Sequence, residues 1–149
     1  MIQLDDKKNV PLRAVIGNNG ARENIVSLLL HGYEKGQITP EEGTLKKTGF
    51  QHISKLQLIS IDTTKLLLTD VWIFKDNHLS VVSTALSLVS LDFSVDSENI
   101  QTIRFPFQEV IKAFGGQTVR KGDSTFTLSE FFKERYFSSG VLYCSEFSK

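Results

Sequence analysis

The stretch Leu66-Leu67-Leu68-Thr69-Asp70-Val71-Trp72-Ile73-Phe74-Lys75-Asp76-Asn77-His78-Leu79-Ser80-Val81-Val82-Ser83 decides how this chain is read. Two apolar runs rich in β-branched and aromatic residues flank Asp76-Asn77-His78, which carries turn chemistry, so the segment reads as an antiparallel hairpin. Upstream, Ile53 to Ile61 is another strand-like run, joined to Leu66–Lys75 across the turn residues Asp62-Thr63-Thr64-Lys65. Downstream, the third run extends from Leu79 to Val95, and its apolar positions change phase: Leu79 and Val81, then Leu86 and Leu88, then Val89, Leu91, Phe93 and Val95. Such a slip predicts a β-bulge near Ala85 to Val89 within one long strand, with a partly helical 79–95 as the alternative. Together the three runs predict a meander.

Helices are expected on either side of it. Ile25, Val26, Leu29, Leu30 and Tyr33 form a wide apolar face within a helix from Gly20 to Lys35, capped by Asn18 or Asn19 and stopped at Gly36. Thr39-Pro40-Glu41-Glu42 reads as a second, short helix start. After the meander, Ile100–Phe105 is a fourth strand run, and Pro106 restricts Phe105 to extended geometry. Phe107, Val110, Ile111 and Phe114 are helically spaced up to Gly115-Gly116. Thr118 to Thr127 reads as a hairpin around Lys121-Gly122-Asp123. Thr127-Leu128-Ser129-Glu130 is a capping box opening a helix through Phe137. Val141 to Phe147 is a closing strand, and residues 1–12 read as a loose lead-in. Strands in a run with helices segregated around them predict a single α+β domain over residues 1–149, an antiparallel meander sheet of about five to seven strands with three main helices.

Composition narrows the function. The 149 residues carry 17 Lys+Arg against 17 Asp+Glu, for a formal net charge of zero, and 40% are hydrophobic. Mean hydropathy is −0.10. This is the profile of a globular chain, neither disordered nor generally attracted to nucleic-acid phosphate. One cysteine, Cys144, excludes a disulfide framework and fits a reducing compartment. The first residues lack the apolar core of a secretory signal, and the run from Leu79 to Val95 is broken by Ser80, Ser83, Thr84, Ser87, Ser90, Asp92 and Ser94, so no membrane span is expected. A cytoplasmic location is the expectation, and no motif asks for a cofactor or a metal.

Three features could carry chemistry. Val15-Ile16-Gly17-Asn18-Asn19-Gly20-Ala21-Arg22 runs from a strand-like stretch through a Gly-x-x-Gly turn towards a helix, where the backbone amides of Gly17, Asn18, Asn19 and Gly20 could hold an anion. This loop resembles the dinucleotide-binding fingerprint, whose middle glycine it lacks, and also the Ile-Gly-x-x-Gly loop of KH-type RNA-binding domains, which carries a basic residue where Asn18-Asn19 stand. A helix-capping turn needs the same residues. Second, His52-Ile53-Ser54 and His78-Leu79-Ser80 share the form His-hydrophobic-Ser and fall at one end of the expected meander. They resemble the paired motifs of the two-histidine phosphoesterase superfamily. That resemblance implies one imidazole as base, the other as acid, and Ser54 and Ser80 holding phosphate oxygens, although the family sets its motifs in two related lobes. Third, Phe126, Phe131, Phe132, Tyr136, Phe137, Tyr143 and Phe147 load the C-terminal region with aromatics. Phe131, Phe132, Tyr136 and Phe137 would cover more than one face of a helix, so some of them meet a second layer or a partner. Asp70, on one face with Leu68 and Trp72, needs a partner, for which Lys55 or Arg104 could serve, or lies on an exposed stretch.

The leading expectation is a non-catalytic protein-binding module. Its partner would be another protein, as for a small inhibitor such as an immunity protein that neutralises a toxin. A homodimer through an exposed strand edge is the other partner considered. The alternative is a phosphodiesterase-like enzyme using His52 and His78.

Overall fold

The computed structural model describes residues 1–41, 61–91 and 102–141. In chain order the elements are β1 (Ile2–Gln3), a 3-10 helix (Lys7–Arg13), β2 (Val15–Ile16), β3 (Arg22–Glu23), α1 (Ile25–Glu34), β4 (Ile61–Lys75), β5 (His78–Ser90), β6 (Thr102–Pro106), α2 (Phe107–Phe114), β7 (Thr118–Lys121), β8 (Ser124–Thr127) and α3 (Leu128–Lys133). The class is α+β with antiparallel pairing, but the strands form two sheets of four, ordered β1-β4-β5-β6 and β3-β2-β7-β8, rather than one meander of five to seven. The difference has a local cause. Strands β1, β2 and β3 are two residues each, too short to show a period of two in sequence. The hairpin β7–β8 joins this N-terminal pair through Ile16↔Thr118 instead of extending the first sheet.

The long hairpin dominates the first sheet. Leu66 and Leu68 lie opposite Leu88 and Leu86 on the inward face, as the strand period requires. The bulge falls at Thr84, just before the expected stretch: Thr69 pairs with Ala85 and Asp70 with Ser83, leaving Thr84 unpaired in register. Asp76 and Asn77 both take positive φ, 53° and 59°. A two-residue turn of matching twist requires that geometry, and Asp and Asn tolerate it.

Helix α1 begins later than expected. Asn24, not Asn18 or Asn19, is the N-cap, its Oδ1 accepting from the Val26 amide at 2.8 Å. At the other end Gly36 sits at φ 74°, with its amide donating to the Tyr33 carbonyl and the Gln37 amide to that of Gly32. This closes the last carbonyls in a Schellman motif. Residues 1–12 are not a loose lead-in: Ile2, Leu4 and Leu12 are buried. Asn9, also fully buried, donates to the Gln3 and Ser138 carbonyls and accepts from the Ser138 amide, all at 2.8 Å. Thr39–Glu41 is not helical, and the rest of the short helix expected there, from Glu42 on, lies outside the described residues. Thr39–Glu41 is held instead by Thr39 N–H on Glu109, Glu41 N–H on the Arg104 carbonyl, and a Glu41–Arg104 ion pair at 2.8 Å. The expected runs 53–60, 92–95 and 142–147 lie outside the described residues.

One core joins the two sheets and the helices. It draws on Ile2, Leu66, Leu86, Leu88 and Phe105 from the first sheet, Val15 and Val119 from the second, and Ile25, Leu29, Val110, Phe114, Leu128 and Phe131 from the helices. Among the described residues no helix is long and apolar enough to cross a membrane.

Candidate functional site

The inward face of β4 and β5 continues past the core. Beyond Asp70 and Ser83 the two strands run on as a ribbon of about 17 Å, from five residue steps to Lys75 and His78 at the strand rise. β1 pairs with β4 only at Lys65 and Leu66. β6 pairs with β5 only over Ala85–Val89. Along the ribbon both outer edges are therefore unpaired among the described residues. Phe74↔Leu79 and Trp72↔Val81 are cross-strand pairs on the face that continues Leu66 and Leu68; Ile73↔Ser80 and Val71↔Val82 occupy the other. Trp72 is 65% exposed and Phe74 71%, with Leu79, Ile73 and Val82 also exposed. The two rings and Leu79 present on the order of 350 Å² of apolar surface on one face, the size of the largest patch on a typical monomer, which is often functional.

The base of this arm is fixed by charge. Asp70 accepts from the Ser83 hydroxyl at 2.7 Å and from Arg135 Nη2 at 2.9 Å. The Asp70 partner is thus Arg135; Arg104 is engaged by Glu41, and Lys55 lies outside the described residues. Arg135 follows α3 at φ 54°, and its guanidinium stands 5.0 Å above the Phe137 ring.

That reversal at Arg135 explains the C-terminal aromatics. The Thr127 capping box forms as expected, with the hydroxyl accepting from the Glu130 amide, but α3 ends at Lys133 rather than running through Phe137. The Arg135 and Tyr136 amides close back on the Phe132 and Phe131 carbonyls. Tyr136 and Phe137 thereby fold over the helix instead of extending it. Phe131, Phe132 and Phe137 are buried in the core, with Tyr136 half-buried between Phe126 and Phe131. The second layer these rings require is the protein's own interior, so they offer no exposed patch in this conformation.

The Gly17–Gly20 loop is the turn of the β2–β3 hairpin, not a helix entry. Gly17 N–H donates to the Ala21 carbonyl, Gly20 N–H to the Gly17 carbonyl and Ala21 N–H to Asn19 Oδ1. The helix-start argument for an anion at Gly17, Asn18, Asn19 and Gly20 therefore loses its geometric basis. The loop does border an open cleft of about 590 Å³ between the hairpin and α1. There His31 Nδ1 meets Glu23 Oε1. Sequence reading missed this pair, because Glu23 and His31 would stand two turns apart on the continuous helix expected there. They meet because Glu23 lies in β3, before the N-cap.

His78 sits at the tip of the arm, exposed, and Ser80 is on the ribbon with its hydroxyl donating to the Ile73 carbonyl at 3.4 Å. His52 and Ser54 lie outside the described residues. Nothing described gathers the two histidine motifs around one pocket. Among the described residues no group of three or more His, Cys, Asp or Glu side chains could hold a metal ion.

The Asp62 carboxyl and the Tyr33 phenol have shifted pKa values. Burial pushes the Asp62 carboxyl up, but hydrogen bonds from the Thr64 hydroxyl and amide, with the Lys65 ammonium, together hold it below the usual range. Burial raises the Tyr33 phenol. Comparison with family models, with curated proteins and with solved structures gives no match to this chain.

Proposed function

We propose that the protein is a non-catalytic protein-binding module whose binding element is the β4–β5 arm. One observation carries the reading: the core-facing side of the sheet runs out into solvent as an apolar ribbon with Trp72 and Phe74 at 65% and 71% exposure. A monomer that leaves such a surface uncovered risks aggregation, so a partner is its simplest use.

Size argues for the kind of partner. Two arms packed face to face would bury roughly 700 Å² in all, short of the ~1,000 Å² that a specific interface needs. A grooved protein that received the arm would cover both faces and could add a strand to either free edge. The occupant is therefore a different protein with an apolar groove, and an inhibitor that plugs a target's cleft would use the same arm.

The test is partner capture followed by affinity measurement. A protein captured from the native host by the wild-type chain is purified, and its binding is measured against Trp72→Ser/Phe74→Ser and against Lys112→Gln as a distant control. Loss of at least 30-fold in the arm variant alone, about 2 kcal/mol for a central aromatic anchor, supports the reading. Equal affinity overturns it. Concentration-dependent self-association that the arm variant abolishes would replace the grooved partner by a second copy.

A further inference from the structure

We infer that the cleft beside α1 is a binding site for a small organic molecule bearing a phosphate group. The cleft shares no residue with the arm, and its volume of about 590 Å³ lies in the range of small-molecule sites. Its floor is Val15, Leu28, Gly32 and Phe114. Gly32 shapes that floor: a Cβ there would lie 2.5 Å from Phe114 Cζ, so the missing side chain lets the ring close against the helix.

Basic side chains come from both walls, Arg22 from the hairpin and His31 and Lys35 from α1 and its C-cap. His31 and Lys35, four apart, lie on the same side of the helix. Glu23 is the one carboxylate among the lining residues, and it is engaged with His31 Nδ1. Among the described residues neither Arg22 nor Lys35 has an ion-pair partner. In a chain with 17 positive and 17 negative side chains, this local surplus is not the overflow of a basic protein.

The cations are not occupied by the helix end either. Cations near a helix C-terminus commonly answer its orphan carbonyls. Here the Gly36 and Gln37 amides already take the Tyr33 and Gly32 carbonyls. Asn18, Asn19 and Gln117 add carboxamides to the lining. Asn19 Oδ1 takes the Ala21 amide, which leaves its NH₂ as a donor. A guanidinium, an ammonium and an imidazole suit a group with three strong acceptor oxygens better than a lone carboxylate. The apolar floor suits an organic portion.

The test is an NMR titration of the full chain with phenyl phosphate, inorganic phosphate and phenol as probes. Phenyl phosphate is expected to give saturable shifts confined to the amides of residues 17–23 and 31–37. Arg22→Gln and Lys35→Gln, both exposed changes that spare the fold, should each weaken binding about tenfold, while Lys112→Gln leaves it unchanged. Shifts that never saturate, or equal binding by both cleft variants, would overturn the inference. Equal binding by phenol overturns the anion recognition, and equal binding by inorganic phosphate overturns the organic portion of the ligand.

Discussion

Arg135 holds one cost and two gains in one residue, and two substitutions separate them. Its φ of 54° is a left-handed conformation, worth about 1 kcal/mol of strain for a non-glycine residue. Against this, the guanidinium binds Asp70 at 2.9 Å, with the aspartate side chain 15% exposed and the arginine 38%. After discounting for the exposed end, that charge-assisted bond contributes about 1.5 kcal/mol. The stack on Phe137 at 5.0 Å adds about 0.5 kcal/mol. Arg135→Ala removes the anchor and keeps the strain, so it should destabilise by about 2 kcal/mol. Arg135→Gly removes both, so it should cost only about 1 kcal/mol. Urea unfolding of wild type and both variants measures this directly, with Asp70→Asn alone and combined with Arg135→Ala completing a double-mutant cycle. A glycine variant no more stable than the alanine variant would refute the strain. Additive effects of Asp70→Asn and Arg135→Ala would refute the anchor.

Three further outcomes follow from other contacts. Gly32→Ala gains about 1 kcal/mol of helix propensity, but its Cβ would meet Phe114 Cζ at 2.5 Å and Cε2 at 2.9 Å. Shifting a packed ring costs up to ~3 kcal/mol, so calorimetry should record a net loss near 1 kcal/mol, and a raised melting temperature would show that the ring yields freely. Asn9→Ala strands the Ser138 amide and the Gln3 and Ser138 carbonyls; a loss of about 3 kcal/mol in chemical denaturation is expected, and less than ~1 kcal/mol would mean that water replaces the side chain. Asp62 has a folded pKa below its ordinary value, so its contribution is complete above the unfolded carboxylate pKa of about 4 and is lost as pH falls through the folded value. Asp62→Asn should therefore be about 1 kcal/mol less stable than wild type at pH 7 and indistinguishable from it in strong acid; an unchanged gap at low pH contradicts the assignment.

Where the sequence was legible, the signal was local and chemical. Asp76-Asn77, the Thr127 capping box and Gly36 as a helix stop each follow from what a residue's own backbone and side chain allow locally, and Phe107–Phe114 as a helix follows from its apolar spacing. Partnership between distant segments was not legible. Ile16↔Thr118 depends on a strand of two residues, and Asp70 chose Arg135 over nearer-looking cations because the chain reverses there. The arm carried signals of both kinds. An apolar run such as Val71-Trp72-Ile73-Phe74 ordinarily marks a covered strand, yet here Trp72 and Phe74 stand exposed. The polar tip Lys75-Asp76-Asn77-His78 and the inward-facing Asp70 were the signs of exposure. The aromatics of residues 131–137 erred in the opposite sense: helical spacing projected them onto several faces, while the turn at Arg135 wraps them inward.

The buried Asn9 also sets the order in which the molecule can be completed. Its partner Ser138 lies 129 residues along the chain, so during synthesis from the N-terminus the clamp must wait until nearly the whole described chain has been made. Until then the 3-10 helix and β1 lack the contact that fixes them, and Leu4 and Leu12 have only part of their final packing. Closing so long a loop carries a large entropic cost before any contact offsets it, and such topologies fold slowly. Refolding followed by pulsed hydrogen exchange should find the Ser138 amide among the last to gain protection.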